Sequence, residues 1–141
     1  MLYNLYVFNK RGVNVYYREW SRPQNTLEHD AAEEKRLMFG MSYSLQQMMA
    51  KLSGAPDVGE KYLTLGTDSY TMHCFVSASG LRFILNSDRG KGDMQQLMKR
   101  LFSEIFVEYV VGNPDYNPLS SDPIDLPAFD IGVENLLASF S

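Results

Sequence analysis

The first twenty residues show apolar runs separated by a polar turn, a pattern typical of a β-hairpin. Leu2–Phe8 is dense in aromatic and branched residues and stops at residues 9–12, where Gly12 can adopt a positive φ. The run 13–20 then resumes with partial alternation and predicts a second strand. Because the first strand is apolar on both faces, we expect it inside a sheet that is covered on both sides.

A helical stripe follows a loop predicted at 21–29. Asp30, with Glu33 three residues later, resembles a capping box, and the segment 53–56, which contains glycine and proline, ends the helix. Apolar residues recur at steps of three and four, which predicts that one side of this helix faces the sheet. These residues are Met38, Met41, Leu45, Met48 and Leu52.

Three strands and a second helix are predicted next. The strands, at 62–65, 70–76 and 81–86, are joined by short connections, which favours antiparallel neighbours. Asp93 is expected to cap a helix that runs to about Val111. The end of this helix is apolar on nearly every side, so it should be buried by the terminal helix or by another chain, with Glu108 on the side nearest the core.

The remaining chain predicts an extended tail. Four prolines between residues 113 and 128 disfavour a regular element, and a short amphipathic helix carrying Val133, Leu136, Leu137 and Phe140 closes the chain. We therefore predict one domain at 1–112 and a proline-rich tail at 113–141 whose short helix packs on the same domain.

These elements predict an α+β fold in the order β-β-α-β-β-β-α-α. Its five-stranded sheet is antiparallel or mixed, with the long first helix on one face and the later helices on the other.

Composition and charge then exclude some classes of binding partner. The chain has 141 residues, with 13 basic against 17 acidic side chains and a net charge of −4, and it lacks the basic cluster that nucleic acid prefers. No apolar run approaches the roughly 18 residues that span a bilayer, so we expect no direct membrane insertion, and the first residues lack the features of a signal peptide. A lone cysteine, Cys74, excludes an internal disulfide and suits a reducing compartment.

The sequence offers little catalytic chemistry. His29 lies in the loop before the first helix, and His73 and Cys74 are adjacent on a strand, so their side chains should point to opposite faces and cannot form a nucleophile pair. The glycine-rich segment 90–93 opens a helix and could cradle an anion, but it lacks the Walker spacing, which favours a plain turn. We predict no catalytic, cofactor-binding or metal-binding residue.

Apolar residues outside the predicted core stripe point to protein partners. The outward face of the first helix is expected to carry Arg36, Phe39, Gly40, Tyr43 and Gln47, and aromatic and arginine side chains are favoured at interfaces. A loop or the tail folding over this face is the alternative. Two further candidate partner-binding residues, Phe106 and Val110, lie at the apolar end of the second helix.

Several segments resemble the longin-like (SNARE-like) small subunits of the TRAPP vesicle-tethering complex. The segments that carry the resemblance are 4–13, 17–20, 33–41 and 106–114. The likeness as a whole runs from about residue 3 to 114, roughly four-fifths of the chain. Single residues of the last two strands and the following turn are also similar: Tyr70, His73, Gly80, Asn86, Asp88 and Gly90.

The resemblance implies a longin fold and a non-catalytic place in a complex that exchanges guanine nucleotide on a Rab-type GTPase in traffic from endoplasmic reticulum to Golgi. It implies two neighbours, a second longin-type subunit and an α/β subunit with a lipid pocket, and a cytoplasmic location at the membranes of those organelles. The alternative is another longin-type trafficking protein, such as a clathrin-adaptor small chain or a SNARE regulatory domain.

Overall fold

The sheet is the centre of the fold. A computed structural model describes residues 2–20, 31–54, 59–89, 94–112, 114 and 123–138. Its five strands lie in the order β2-β1-β5-β4-β3, and every neighbouring pair is antiparallel. The strands are β1 (Leu2–Phe8), β2 (Asn14–Glu19), β3 (Lys61–Gly66), β4 (Thr71–Val76) and β5 (Arg82–Ser87). The predicted α+β class, element order and antiparallel sheet are confirmed.

The predicted hairpin closes through local polar bonds. Asn9 Oδ1 accepts hydrogen bonds from the backbone amides of Arg11 and Val13, each at 2.9 Å, and Gly12 has a φ of 84°. Asn side chains stabilise turns in this way, and a positive φ costs glycine little. The turn therefore fixes how β1 and β2 pair.

Both faces of β1 are buried, as its apolar pattern predicts. Leu5 and Val7 join one hydrophobic cluster, whereas Tyr6 and Phe8 join the other, on the opposite face of the sheet. Successive side chains of a strand alternate between faces, so the central strand contributes to two cores. Among the described residues, one helix covers the Tyr6 face and the later helices cover the other.

The first helix, α1, spans Ala31–Ser53 and packs on the Tyr6 face. It ends where the Gly54 amide donates to the Ala50 carbonyl at 3.1 Å and Gly54 takes a φ of 69°, the usual role of glycine after a helix. The predicted cap, Asp30, lies outside the described residues, as does the predicted loop at 21–29.

The second helix changes its hydrogen bonding partway. It begins as α2 (Gln95–Arg100) and continues as a π-helix over Leu101–Val111, in which each amide bonds five residues back. The predicted end at Val111 is confirmed, while the predicted cap Asp93 lies outside the described residues. The π-helix has a wider turn than an α-helix, so the expectation for Glu108 is wrong: its side chain is exposed, not nearest the core.

The third helix, α3, spans Pro127–Ala138 and packs against the π-helix. It is longer than the short helix predicted, and it begins at a proline that was expected to prevent regular structure. A proline is tolerated in the first turn because its missing N–H would be unbonded there in any case. The boundary at residue 112 stays a prediction, since 113 and 115–122 lie outside the described residues, as does Phe140.

Candidate interaction surface

The side of the sheet under α1 is only partly covered. Met38 is buried against Tyr6, Phe8 and Ile84, and the Tyr6 hydroxyl donates a hydrogen bond to Glu34. Two residues predicted to face the core, Met48 and Leu52, are 52% and 77% exposed. A single helix thus leaves apolar surface uncovered on this face.

The side of α1 that faces the sheet differs from the side that its apolar stripe predicted. The helix faces the sheet with Met38 and Ser42, and the latter is fully buried although it is polar. Met41 and Leu45 lie at the margin of that contact and are only partly buried. At 100° per residue, the direction midway between Met38 and Ser42 lies roughly 60° around the helix axis from the middle of the predicted apolar stripe.

A buried arginine explains the rotation. Arg82, at the start of β5, is 5% exposed, and its guanidinium donates to Gln46 Oε1 at 2.7 Å and to Ser42 Oγ at 3.3 Å. A charged group removed from water needs such acceptors. The helix therefore turns a polar side toward the sheet, and part of its apolar stripe moves outward.

Aromatic rings complete the surroundings of Arg82. Its guanidinium carbon lies 5.3 Å from the centre of the Phe39 ring and 5.7 Å from that of Tyr43, and the two rings stack at 5.9 Å. Cations are attracted to the faces of aromatic rings. Beneath the rings, the guanidinium is 3.8 Å from Cys74 Sγ.

The displaced stripe of α1 forms one wall of a groove beside the edge strand β3. This α1–β3 groove has a volume of about 630 Å³, and Leu65 of β3 forms part of its opposite side. Leu37 is 55% exposed at this groove, and a Cβ on Gly40 would meet no atom within 4 Å. The residues of α1 that line it are Glu33, Arg36, Leu37, Gly40, Met41, Ser44, Leu45 and Met48.

Of the five predicted partner-binding residues on α1, Arg36, Gly40, Tyr43 and Gln47 are exposed, as the predicted outward face requires. Arg36 and Gly40 line the groove, and Arg36 Nη2 lies 2.5 Å from Glu33 Oε2 in an exposed ion pair. Tyr43 is 45% exposed and Gln47 is also exposed. Phe39 is half-buried and packs on Phe8 with ring centres 5.5 Å apart, so it is not on the far side of the helix as predicted. Whether these residues bind a partner stays a prediction.

Phe106 and Val110 need a correction as partner-binding candidates. Their exposed fractions are 1% and 0%, and Phe106 lies among Phe83, Phe102 and Phe129, with the last of these on α3. The chain's own third helix covers them, so they are core residues. Exposed apolar surface at this end of the π-helix comes from Val107 and Val111 instead.

The opposite edge of the sheet is closed by residues from the end of the chain. The Ile124 amide donates to the Val15 carbonyl of β2 at 2.7 Å, and the Tyr16 hydroxyl donates to Asp130 of α3 at 2.7 Å. Burial and the nearby Asp130 carboxylate together raise the pKa of Tyr16. Edge β2 is therefore occupied, while edge β3 borders the groove.

The remaining titratable groups of the interior are held by structural contacts. His73 bonds to Tyr62 Oη through Nδ1 at 3.1 Å and to Ser87 Oγ through Nε2 at 3.0 Å, whereas Cys74 points to the α1 side, where burial raises the pKa of its thiol. The prediction that the two do not pair is confirmed. Within the described ranges, no three His, Cys, Asp or Glu side chains are grouped to hold a metal ion.

Arg82, Leu37 and Leu65 are the surface-forming residues that sequence reasoning missed. Arg82 stands between Leu81 and Phe83 in an apolar run, and this interruption was the one available signal. The alternative reading of 90–93 as an anion cradle concerns residues outside those described. None of the described helices has the length and hydropathy needed to cross a bilayer.

Comparisons with known proteins identify the family and relatives that this chain is similar to. The sequence matches the Sybindin-like family over residues 2–140. It is 35% identical over 118 residues to Trafficking protein particle complex subunit 1 of Dictyostelium discoideum, covering 82% of this chain and 81% of that protein. The Homo sapiens protein of the same name is 32% identical over 113 residues, which is 80% of this chain and 77% of the relative. Trafficking protein particle complex subunit BET5 of Saccharomyces cerevisiae is 29% identical over 117 residues, covering 79% and 73%.

Proposed function

The chain belongs to the Sybindin-like family, and from this premise we propose that it is a non-catalytic scaffold subunit of the TRAPP (transport protein particle) vesicle-tethering complex. Its relatives carry the name of that complex. The observation that supports a scaffold role most directly is the α1–β3 groove, an apolar surface too large for one small core to need.

The groove has the properties of a contact site for another subunit. Leucine and methionine side chains line its floor, and the ion pair between Arg36 and Glu33 stands at its side. Interfaces combine an apolar centre with a polar rim in this way. The open space at Gly40 allows a neighbouring backbone to approach α1 closely.

The position of the groove at a sheet edge suggests which neighbour fills it. Edge β2 is bonded to Ile124 and lies near α3, whereas edge β3 borders the groove. We assign this side to a second longin-type subunit, with an α/β lipid-pocket subunit as a further neighbour. Together they would form the surface on which a Rab-type GTPase exchanges nucleotide in traffic from endoplasmic reticulum to Golgi, at the cytoplasmic side of those membranes.

Co-expression with these two neighbours tests the proposal. We expect a ternary complex on size-exclusion chromatography, and Leu37→Glu should weaken it at least tenfold because a charge would be buried in the groove. The matched control is Ile131→Glu on α3, which replaces an apolar residue of similar exposure (61% against 55%) outside the groove. Equal assembly by both variants would refute the groove as the contact site.

A second variant separates binding from folding. Gly40→Leu adds a side chain where nothing lies within 4 Å and replaces a residue that costs a helix about 1 kcal/mol relative to alanine. The isolated chain should therefore unfold at the same temperature or higher, while assembly is lost.

Recovery of clathrin-adaptor large chains in place of TRAPP subunits from the native source would support the alternative, an adaptor small chain.

A further inference from the structure

A second surface lies on the other flank of α1, away from the groove. Here the turn between β1 and β2 meets the start of β5. Gly12 sits against Phe39, where an added Cβ would lie 3.0 Å from the ring, and the stem of Lys10 lies 3.2 Å from the Cβ position of Gly80. We name this surface the basic corner; it comprises Lys10, Arg11, Phe39, Tyr43 and Arg82.

The cations of the basic corner lack acidic partners among the described residues. Lys10 and Arg11 are exposed and make no ion pair there, and Arg82 is held only by neutral acceptors and rings. By contrast, Arg18, Arg36 and Arg100 each pair with a glutamate. The basic corner is therefore an unbalanced positive region.

The sequence around the basic corner explains the imbalance. The segments 9–18, 37–54 and 76–87, which build it, contain no Asp or Glu, although the whole chain carries a net charge of −4. The nearby Glu60 precedes β3, which β4 separates from β5. Among the described residues, the acidic side chains thus lie outside these three segments.

Burial makes Arg82 an effective anion attractor. Most of the desolvation of its guanidinium has occurred on folding, so a bound carboxylate would interact with it across a medium less polar than water. The acceptor nearest the surface is the half-buried Gln46, and a carboxylate approaching there would meet the guanidinium beside the Tyr43 ring. The ring in turn offers an apolar contact to a neighbouring side chain.

We propose that the basic corner binds an acidic segment of a partner protein, with carboxylates on Lys10 and Arg11 and an apolar or aromatic residue on Tyr43. This site is independent of the groove and of the identity of the subunits. An anionic membrane is the weaker fit, because basic sequences that bind membranes present clusters of about four to eight accessible cations. Only two of the three cations here are exposed.

Fluorescence anisotropy on the full chain tests the proposal with a labelled peptide of Asp and Glu around one Phe. We expect saturable binding that weakens as salt is raised to about 150 mM and no binding of the same peptide with Gln replacing each acid. Lys10→Glu combined with Arg11→Glu should raise Kd at least tenfold. The control, Arg89→Glu with Lys99→Glu, makes the same charge change at two exposed sites elsewhere.

Three outcomes would overturn the proposal. The first is that the acidic peptide does not bind. The second is that both charge-reversal pairs weaken peptide binding equally. The third is that phosphatidylserine vesicles capture the chain and lose it in the Lys10/Arg11 variant alone, while the peptide does not bind. Arg82→Gln should also weaken peptide binding at least tenfold. The Arg82→Gln variant can impair folding because Arg82 is buried. If this variant has lost its thermal transition, the double variant of the exposed Lys10 and Arg11 decides whether the proposal stands.

Discussion

The two faces of the sheet differ in how completely helices cover them. On one face, α2, the π-helix and α3 bury a continuous cluster that runs from Phe75 through Phe83 and Phe106 to Phe129. On the other, α1 is the one helix of the described residues, and it lies over a smaller cluster. A single helix about 10 Å wide cannot cover five strands spaced ~4.8 Å apart, so both of its flanks remain accessible.

The two flanks of α1 also differ from each other in chemistry. The flank toward β3 is the apolar groove, while the flank toward the β1–β2 turn is the basic corner. Apolar area supports stable contact between subunits, and cations without an acidic partner among the described residues support recognition and steering of an acidic partner. One face of the sheet is thus covered by three described helical segments, and the other carries the two surfaces that we propose bind partners.

Truncation of the covered face should give the largest effect. Phe106→Ala removes a ring that is 1% exposed and packed among three phenylalanines, and the cavity should lower the free energy of unfolding by about 3–5 kcal/mol. Urea denaturation of the isolated chain measures this. The control is Val107→Ala, whose side chain is 39% exposed on the same helix. Equal losses in the two variants would place Phe106 outside the core.

The sequence predicts most of this architecture because alternation and turn residues act locally. All five strands and the first two helices lie within a few residues of their predicted positions. The rotation of α1 was not predictable, since it depends on a contact between Ser42 and Arg82, which are forty residues apart. The π-helix was missed for a related reason: in it the buried Leu101 and Phe106 recur after five residues, a spacing that an α-helical wheel does not anticipate.

The candidate site was predictable only in part. Arg36 and Gly40 line the groove as members of the predicted outward face, but Leu37 and Met48 reach it because the helix is rotated. Phe106 was misassigned because an apolar helix end can be covered either by the same chain or by another. Periodicity shows that a residue is covered and does not show by what.

A smaller effect should follow from Gly12→Ala, which tests the contact between the turn and α1. A side chain at a φ of 84° is strained, and its Cβ would lie 3.0 Å from the Phe39 ring, so we expect a loss of about 2 kcal/mol by thermal or urea unfolding. Gly54→Ala is the matched control, with a φ of 69° and nothing within 4 Å. If both variants lose the same amount, backbone strain alone accounts for the effect and the contact with Phe39 adds nothing.

The smallest effect is expected for Tyr16→Phe, which removes the hydrogen bond between β2 and Asp130 of α3. The loss near neutral pH should be about 1 kcal/mol. Tyr17→Phe is the control, because its hydroxyl donates at 2.6 Å to the exposed Glu19 on the same strand.

The same variant has a distinct signature at alkaline pH. Burial and Asp130 raise the pKa of folded Tyr16 above the ordinary value of 10.0, so above pH 10 the unfolded chain releases this proton while the folded chain retains it. The stabilising contribution is therefore fully present below pH 10 and is lost as pH rises toward the folded pKa. Between about pH 10 and 11, the free energy of unfolding measured in urea should fall more steeply for the wild type than for Tyr16→Phe. Parallel pH profiles would show that the Tyr16 hydroxyl adds nothing to the contact between β2 and α3, which would then rest on apolar packing and on the ion pair between Arg18 and Glu134.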